Sequence, residues 1–365
     1  MNRNPSLPVQ GRRRQAAGFT LIELMVSVAI GLFLIAGVGS VYVASRRVFS
    51  STGATTGMDD NARTAFEWIG ASARQAGYQG CNRLSGTVNG DVRGSVNTAN
   101  WWQNFANPVQ GYTIGSGDPG FNNGSGGSAI NATDALVLIG ADTTGQAMVQ
   151  NDDETDNPAV ITTTTAHGFQ AGQILLATDC QTNSYFVAST AAGTTITHAA
   201  GANCSQNLSS SCSGVTSAPA AGTNVTIAPG GLILPIVATA YFIAPSATGT
   251  TKGNSLWALT STTSGTPTAV ELVNGVQNMK IDYGIDTNDD GSIDGYTDTV
   301  TNWSQVAAIQ VHLLLATLPD SGAVSSGSNT YTFDGSTVNP KAADPTDNRI
   351  YREYTSVFSL RNKSY

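Results

Sequence analysis

From Phe19 to Ser45 the chain runs apolar for 27 residues, with one charge, Glu23, and no proline. At a helical rise of about 1.5 Å per residue, such a run crosses a hydrocarbon core of about 30 Å. The pattern therefore predicts a membrane-length helix. It then changes character: Met58, Ala62, Ala65, Phe66, Ile69, Ala73 and Ala76 recur at three- and four-residue steps, as in an amphipathic helix with one buried stripe. Gly77 is the expected stop, and Gly53 and Gly57 lower helix propensity between the two halves. From about residue 80 the pattern breaks into short runs rich in Val, Ile, Leu and aromatics, at Ala135–Ile139, Ile174–Ala177, Tyr185–Ala188, Leu232–Ala244 and Ala307–Ala316. Gln277–Tyr283 and Thr355–Leu360 alternate more clearly. These read as strands. The Gly/Ser/Thr/Asn tracts 113–133, 143–170, 189–226, 245–268 and 319–348 read as long loops. The expectation is an α+β chain: a leader over 1–18, a hydrophobic helix over 19–45, an amphipathic helix over 46–79 and an antiparallel β-rich head over 80–365.

Charge sharpens this picture. Residues 1–18 hold Arg3, Arg12, Arg13 and Arg14 and no acid, which by the positive-inside bias keeps the N-terminus cytoplasmic and delivers the rest outward. A cleaved secretory signal is the rival, but its apolar core would be shorter and followed by a small-residue cleavage site. Here the small residue, Gly18, precedes the run. The remainder of the chain carries 13 basic and 25 acidic residues, a balance that repels phosphates and argues against nucleic acid as a partner.

Glu23 is an expensive group, since a carboxylate inside an apolar run costs about 2.5–3.5 kcal/mol at a bilayer centre and less near its edge. It either snorkels at that edge or awaits a positive partner. The surrounding Gly18-Phe19-Thr20-Leu21-Ile22-Glu23-Leu24 resembles the processing motif of type IV prepilins and type II secretion pseudopilins. The resemblance implies cleavage after Gly18 by a prepilin peptidase and N-methylation of Phe19. It also implies a filament role for Glu23, pairing with the α-amino group of a neighbour's Phe19; two charges costly alone become tolerable together.

Ala76-Gly77-Tyr78-Gln79-Gly80-Cys81, Thr178-Asp179-Cys180-Gln181 with Tyr185-Phe186, and Phe358-Ser359-Leu360-Arg361-Asn362 are similar to segments of PilW-type minor pilins. That likeness implies a type IV pilin-like fold, with the long N-terminal helix packed on the head. It also implies a role in pilus assembly, twitching motility or adhesion. The partners it implies are other minor and major pilins, the prepilin peptidase and the inner-membrane assembly platform. A type II secretion pseudopilin is the alternative. An enzyme is not expected, because no Gly-x-Ser-x-Gly, His-Glu-x-x-His or Walker-type loop is present.

An exported chain meets an oxidising compartment, so Cys81, Cys180, Cys204 and Cys212 are expected in disulfides, with three pairings open. Cys204 and Cys212 bracket a short loop and can meet locally, which leaves Cys81–Cys180 beside Cys204–Cys212. No Cys-x-x-Cys pair or adjoining histidine points to zinc at the cysteines.

The last signal is Asp286-Thr287-Asn288-Asp289-Asp290-Gly291-Ser292-Ile293-Asp294. Counted from Asp286, oxygen side chains Asp286, Asn288, Asp290 and Asp294 fall at the spacing of a calcium loop, with Ser292 between them and glycine at the sharp turn. The closing bidentate glutamate is replaced by Thr297, with Asp298 one residue beyond as the substitute. Two readings stay open: a calcium site, or a metal-free Asp/Asn/Gly hairpin turn. No cofactor is required in either case.

Overall fold

The computed structural model describes residues 18–80, 90–93, 100–105, 107–125, 127–179, 181–208, 226–247, 253–261, 267–323 and 330–362. Its contacts divide the chain into two units, residues 1–52 and 53–365. The protein has the α+β, pilin-like architecture: a long N-terminal apolar helix and a large antiparallel β-rich head.

The helix runs from Leu21 to Gln75. Within the first unit its side chains are exposed, Phe33 and Phe49 among them. Among the described residues it is the one helix long and apolar enough to cross a membrane. Within the second unit one stripe is buried: Met58, Ala62, Ala65, Ile69, Gly70 and Ala73. Small residues dominate this stripe because the head approaches closely. A Cβ added to Gly70 would lie 2.7 Å from the ring of Phe358, and one added to Gly140 would lie 2.2 Å from the carbonyl oxygen of Gln75. Gly77 ends the helix at φ 74°, and its amide donates to the Ile139 carbonyl at 2.8 Å.

The head is organised by the strand Leu232–Pro245. Its first residues pair with Ile174–Thr178 and Ala147–Asp153, and its later ones with Asp134–Ala141 and Asn254–Ser261. Beyond Ala147–Asp153 the sheet continues through Ala159–Thr163, Thr195–His198 and Thr190–Ala192. A second sheet runs in the order Gly295–Thr297, Val276–Ile285, Val306–Ala316, Tyr351–Ser359. The helix stripe shares one core with both sheets, including Leu136, Tyr241, Ile281, Val311 and Leu360.

Several tracts expected as loops are strands: Ala147–Asp153, Ala159–Thr163, Thr195–His198 and Asn254–Ser261. Ala147–Asp153 buries Ala147, Val149 and Asp152 while exposing Met148, Gln150 and Asn151. In Ala159–Thr163 and Thr195–His198 the polar positions are mostly threonine, which fits a half-covered strand as well as it fits a loop.

Candidate functional site

Gly18 and Phe19 are exposed at the head of the helix, Phe19 with 86% of its surface accessible. Thr20 and Glu23 form a reciprocal cap. The Thr20 amide and hydroxyl donate to Glu23 Oε2 at 3.1 and 3.2 Å, and the Glu23 amide donates to Thr20 Oγ1 at 3.3 Å. Each side chain thus satisfies a backbone donor that the first helical turn leaves open. The leader upstream of Gly18 lies outside the described residues.

Further along, polar contacts fasten the helix to the head. Ser72 and Tyr241 share a hydrogen bond of 2.7 Å, and the same tyrosine hydroxyl donates to the Trp68 carbonyl at 3.1 Å. Asn61 donates to the Asn274 carbonyl, and Asn362 to the carbonyls of Arg74 and Ala76. Asp59 accepts from Tyr354 and, at 3.0 Å, from Arg352. The tyrosine hydrogen bond, with the arginine charge, holds the Asp59 carboxyl below its usual range. These partners lie far apart in sequence, and no local pattern pointed to them.

The acidic loop connects Val276–Ile285 to Gly295–Thr297, which pair as a hairpin. Asp286 is buried, and its carboxylate accepts from the amides of Asp290 at 3.3 Å and Gly291 at 3.0 Å. Asn288 donates to Asp290 at 2.9 Å, and Asp290 accepts from the Ser292 amide at 2.8 Å. Asp294 accepts from the amide and hydroxyl of Thr287, which hold its carboxyl below the usual range. Gly291 takes φ 89°, the left-handed turn its position requires. Asp298 stands past this turn, where it accepts from Thr299 at 3.1 Å.

Cys204 is disulfide-bonded; Cys81, Cys180 and Cys212, and with them both expected pairings, lie outside the described residues.

A further cluster had no sequence signal. Asp152, Glu154 and His198 each offer a ligand-type atom within 4.8 Å of the others. Burial pushes the Glu154 carboxyl up to about 8, with the charges of Asp152 and Asp153 adding to it. Burial also lifts Asp152 to about 6 against the hydrogen bond from Ile227, and lowers His198 to about 4.

An apolar helix entered through a methylation-type motif and continued into a β-rich head defines the class of type IV pilin-like proteins. Residues 13–39 match the prokaryotic N-terminal methylation motif, and residues 240–362 match the family described as type IV pilus-assembly protein W. Together the two matches support a type IV pilin of the PilW type. No curated protein and no solved structure matches the chain.

Proposed function

We propose that this chain is a minor pilin that enters, or starts assembly of, a type IV pilus through its N-terminal helix. A prepilin peptidase cuts after Gly18, Phe19 becomes the methylated N-terminus, and the apolar helix waits in the inner membrane with its head in the periplasm. Assembly moves the helix from lipid into the filament, among other minor and major pilins and over the inner-membrane platform. The observation that carries this reading is the continuity from Gly18, Phe19 and Glu23 into a helix whose large apolar side chains through Phe49 are exposed among the described residues. Apolar surface on that scale needs lipid or other helices around it. The chain's role is structural, as its likeness to pilus-assembly proteins indicates. The Ser/Thr/Asn-rich tracts of the head leave room for adhesion, and its bulk for a place near the filament tip.

N-terminal sequencing of protein from membranes or sheared pili is expected to begin at methyl-Phe19, and Gly18→Ala to retain the leader. A mature chain starting after residue 45 would establish a cleaved secretory signal instead. Deletion of the gene should abolish or reduce surface pili and twitching while leaving type II secreted enzymes unchanged; the reverse result assigns the chain to secretion.

A further inference from the structure

We infer that Asp152, Glu154 and His198 form a binding site in the head for one divalent transition-metal ion of the zinc class. The inference rests on the geometry of the head and is independent of the assembly role.

Strand pairing makes the site. Asp152 lies next to the end of Ala147–Asp153, and Glu154 follows that strand directly. Ala147–Asp153 pairs with Ala159–Thr163, whose Ala159 stands opposite His198 on the next strand. His198 Nε2 comes 3.4 Å from Glu154 Oε1. His198 is fully buried and Glu154 is 3% exposed. Among the described residues, neither ring nitrogen of His198, neither carboxylate oxygen of Glu154, nor Asp152 Oδ1 has a hydrogen-bond partner. The other Asp152 oxygen accepts from the Ile227 amide at 2.7 Å, which fixes the carboxylate's orientation.

Buried polar atoms left without a hydrogen bond, as these five are, are costly unless something binds them. Ligation needs both carboxyl groups ionised, and with a neutral imidazole they then carry a charge of −2, which one divalent cation neutralises. The imidazole selects among cations: calcium and magnesium take oxygen ligands, whereas zinc-class ions take nitrogen and carboxylate oxygen together. The ring of Phe186 lies 5.4 Å from that of His198, and Phe186 shares one hydrophobic cluster with Ile161, Ile196, Leu208 and Ile227. An ion here ties the Ala147–Thr163 hairpin to the strand Thr195–His198, so its role is structural.

The test uses the full chain in detergent, stripped with chelator and then titrated with zinc chloride. Bound metal is read by elemental mass spectrometry, and ligation by the visible spectrum of a cobalt(II)-loaded sample. One ion per chain is expected, with a raised melting temperature. Glu154→Gln and Asp152→Asn preserve shape and should weaken zinc binding by about tenfold or more. Asp290→Asn in the acidic loop, and His312→Gln in the separate group of Asp282, His312 and Asp334, should leave it unchanged. Failure of the wild-type chain to retain zinc overturns the site and leaves a protonated carboxyl pair in its place. Equal zinc retention by wild type and a folded Glu154→Gln chain overturns it as well.

Discussion

The Glu23 carboxylate accepts from the Thr20 amide at 3.1 Å while Thr20 Oγ1 accepts from the Glu23 amide at 3.3 Å, so the two residues close the first turn of the long helix together. Before assembly, then, Glu23 already has a partner within its own chain. Its loss has two consequences: the cap goes, and so does any charge pairing with a neighbouring subunit.

Those consequences separate by substitution. Glu23→Gln keeps an acceptor for the Thr20 amide but carries no charge, whereas Thr20→Ala removes the cap and keeps the charge. Glu23→Gln is expected to be processed and inserted normally yet to be depleted from sheared pili as strongly as Glu23→Ala. Thr20→Ala should cost the helix about 1 kcal/mol of capping and leave incorporation near normal. Immunoblots of pilus and membrane fractions decide the matter; wild-type incorporation of Glu23→Gln would show that the cap, not the charge, is what Glu23 supplies.

The close fit of the helix stripe predicts a contrast between glycines. Gly140→Ala places a Cβ against the Gln75 carbonyl, and Gly70→Ala places one against Phe358. Both should lower stability by about 1–3 kcal/mol through overpacking. Gly53→Ala meets nothing within 4 Å and should stabilise the helix by up to about 1 kcal/mol. Thermal denaturation of the three variants measures the difference.

Asp347 gives a pH dependence with a definite sign. Burial pushes its carboxyl up, but hydrogen bonds from Arg349 at 2.7 Å and Tyr351 at 2.6 Å outweigh this and hold it at about 2, against 3.8 ordinarily. A lowered folded pKa means the unfolded chain takes up the proton first as pH falls. The stabilisation is therefore present above 3.8 and lost as pH drops through about 2. Denaturant unfolding across this window should show a steeper acid loss for wild type than for Asp347→Asn.

Calcium is tested at the loop from Asp286 to Asp294. If the ion binds the folded chain alone, free calcium at ten times Kd adds about 1.4 kcal/mol. The protein should melt higher in millimolar calcium than in chelator, with magnesium doing less because it demands octahedral geometry. The double change Asp286→Ala, Asp290→Ala should abolish the calcium effect. Identical melting in calcium and chelator would leave the loop as a hairpin turn held by its own hydrogen bonds.

Non-reducing peptide mapping should recover Cys81–Cys180 and Cys204–Cys212. Gly80, next to Cys81 in sequence, packs so tightly on Thr178 that an added Cβ would lie 2.5 Å from the threonine methyl, and Thr178 is two residues from Cys180. Loss of the longer-range bridge should cost more stability than loss of the local one. Recovery of Cys81 joined to Cys204 or Cys212 would show a different pairing.

Much of the helix was legible in the sequence because its signals are local. The apolar run, the stripe from Met58 to Ala76, the Gly77 stop and the motif from Gly18 to Glu23 each occupy a few successive turns, and helix geometry relates residues three and four apart. The strongly apolar strands Asp134–Ala141, Leu232–Pro245 and Val306–Ala316 were readable for the same reason. What stayed hidden depended on pairing across distance. Strands such as Ala159–Thr163 and Thr195–His198 bury one face more fully than the other, and threonine on the less buried face looks the same in a loop or a sheet. Asp59 meets Arg352 and Tyr354, Ser72 meets Tyr241, and Glu154 meets His198 only because strand register carries them together. Composition and spacing therefore determined the helix, its entry motif and the β character of the head. Tertiary structure alone decided which polar residues share the interior, since burial and register are properties of the assembled sheets and not of any stretch of chain.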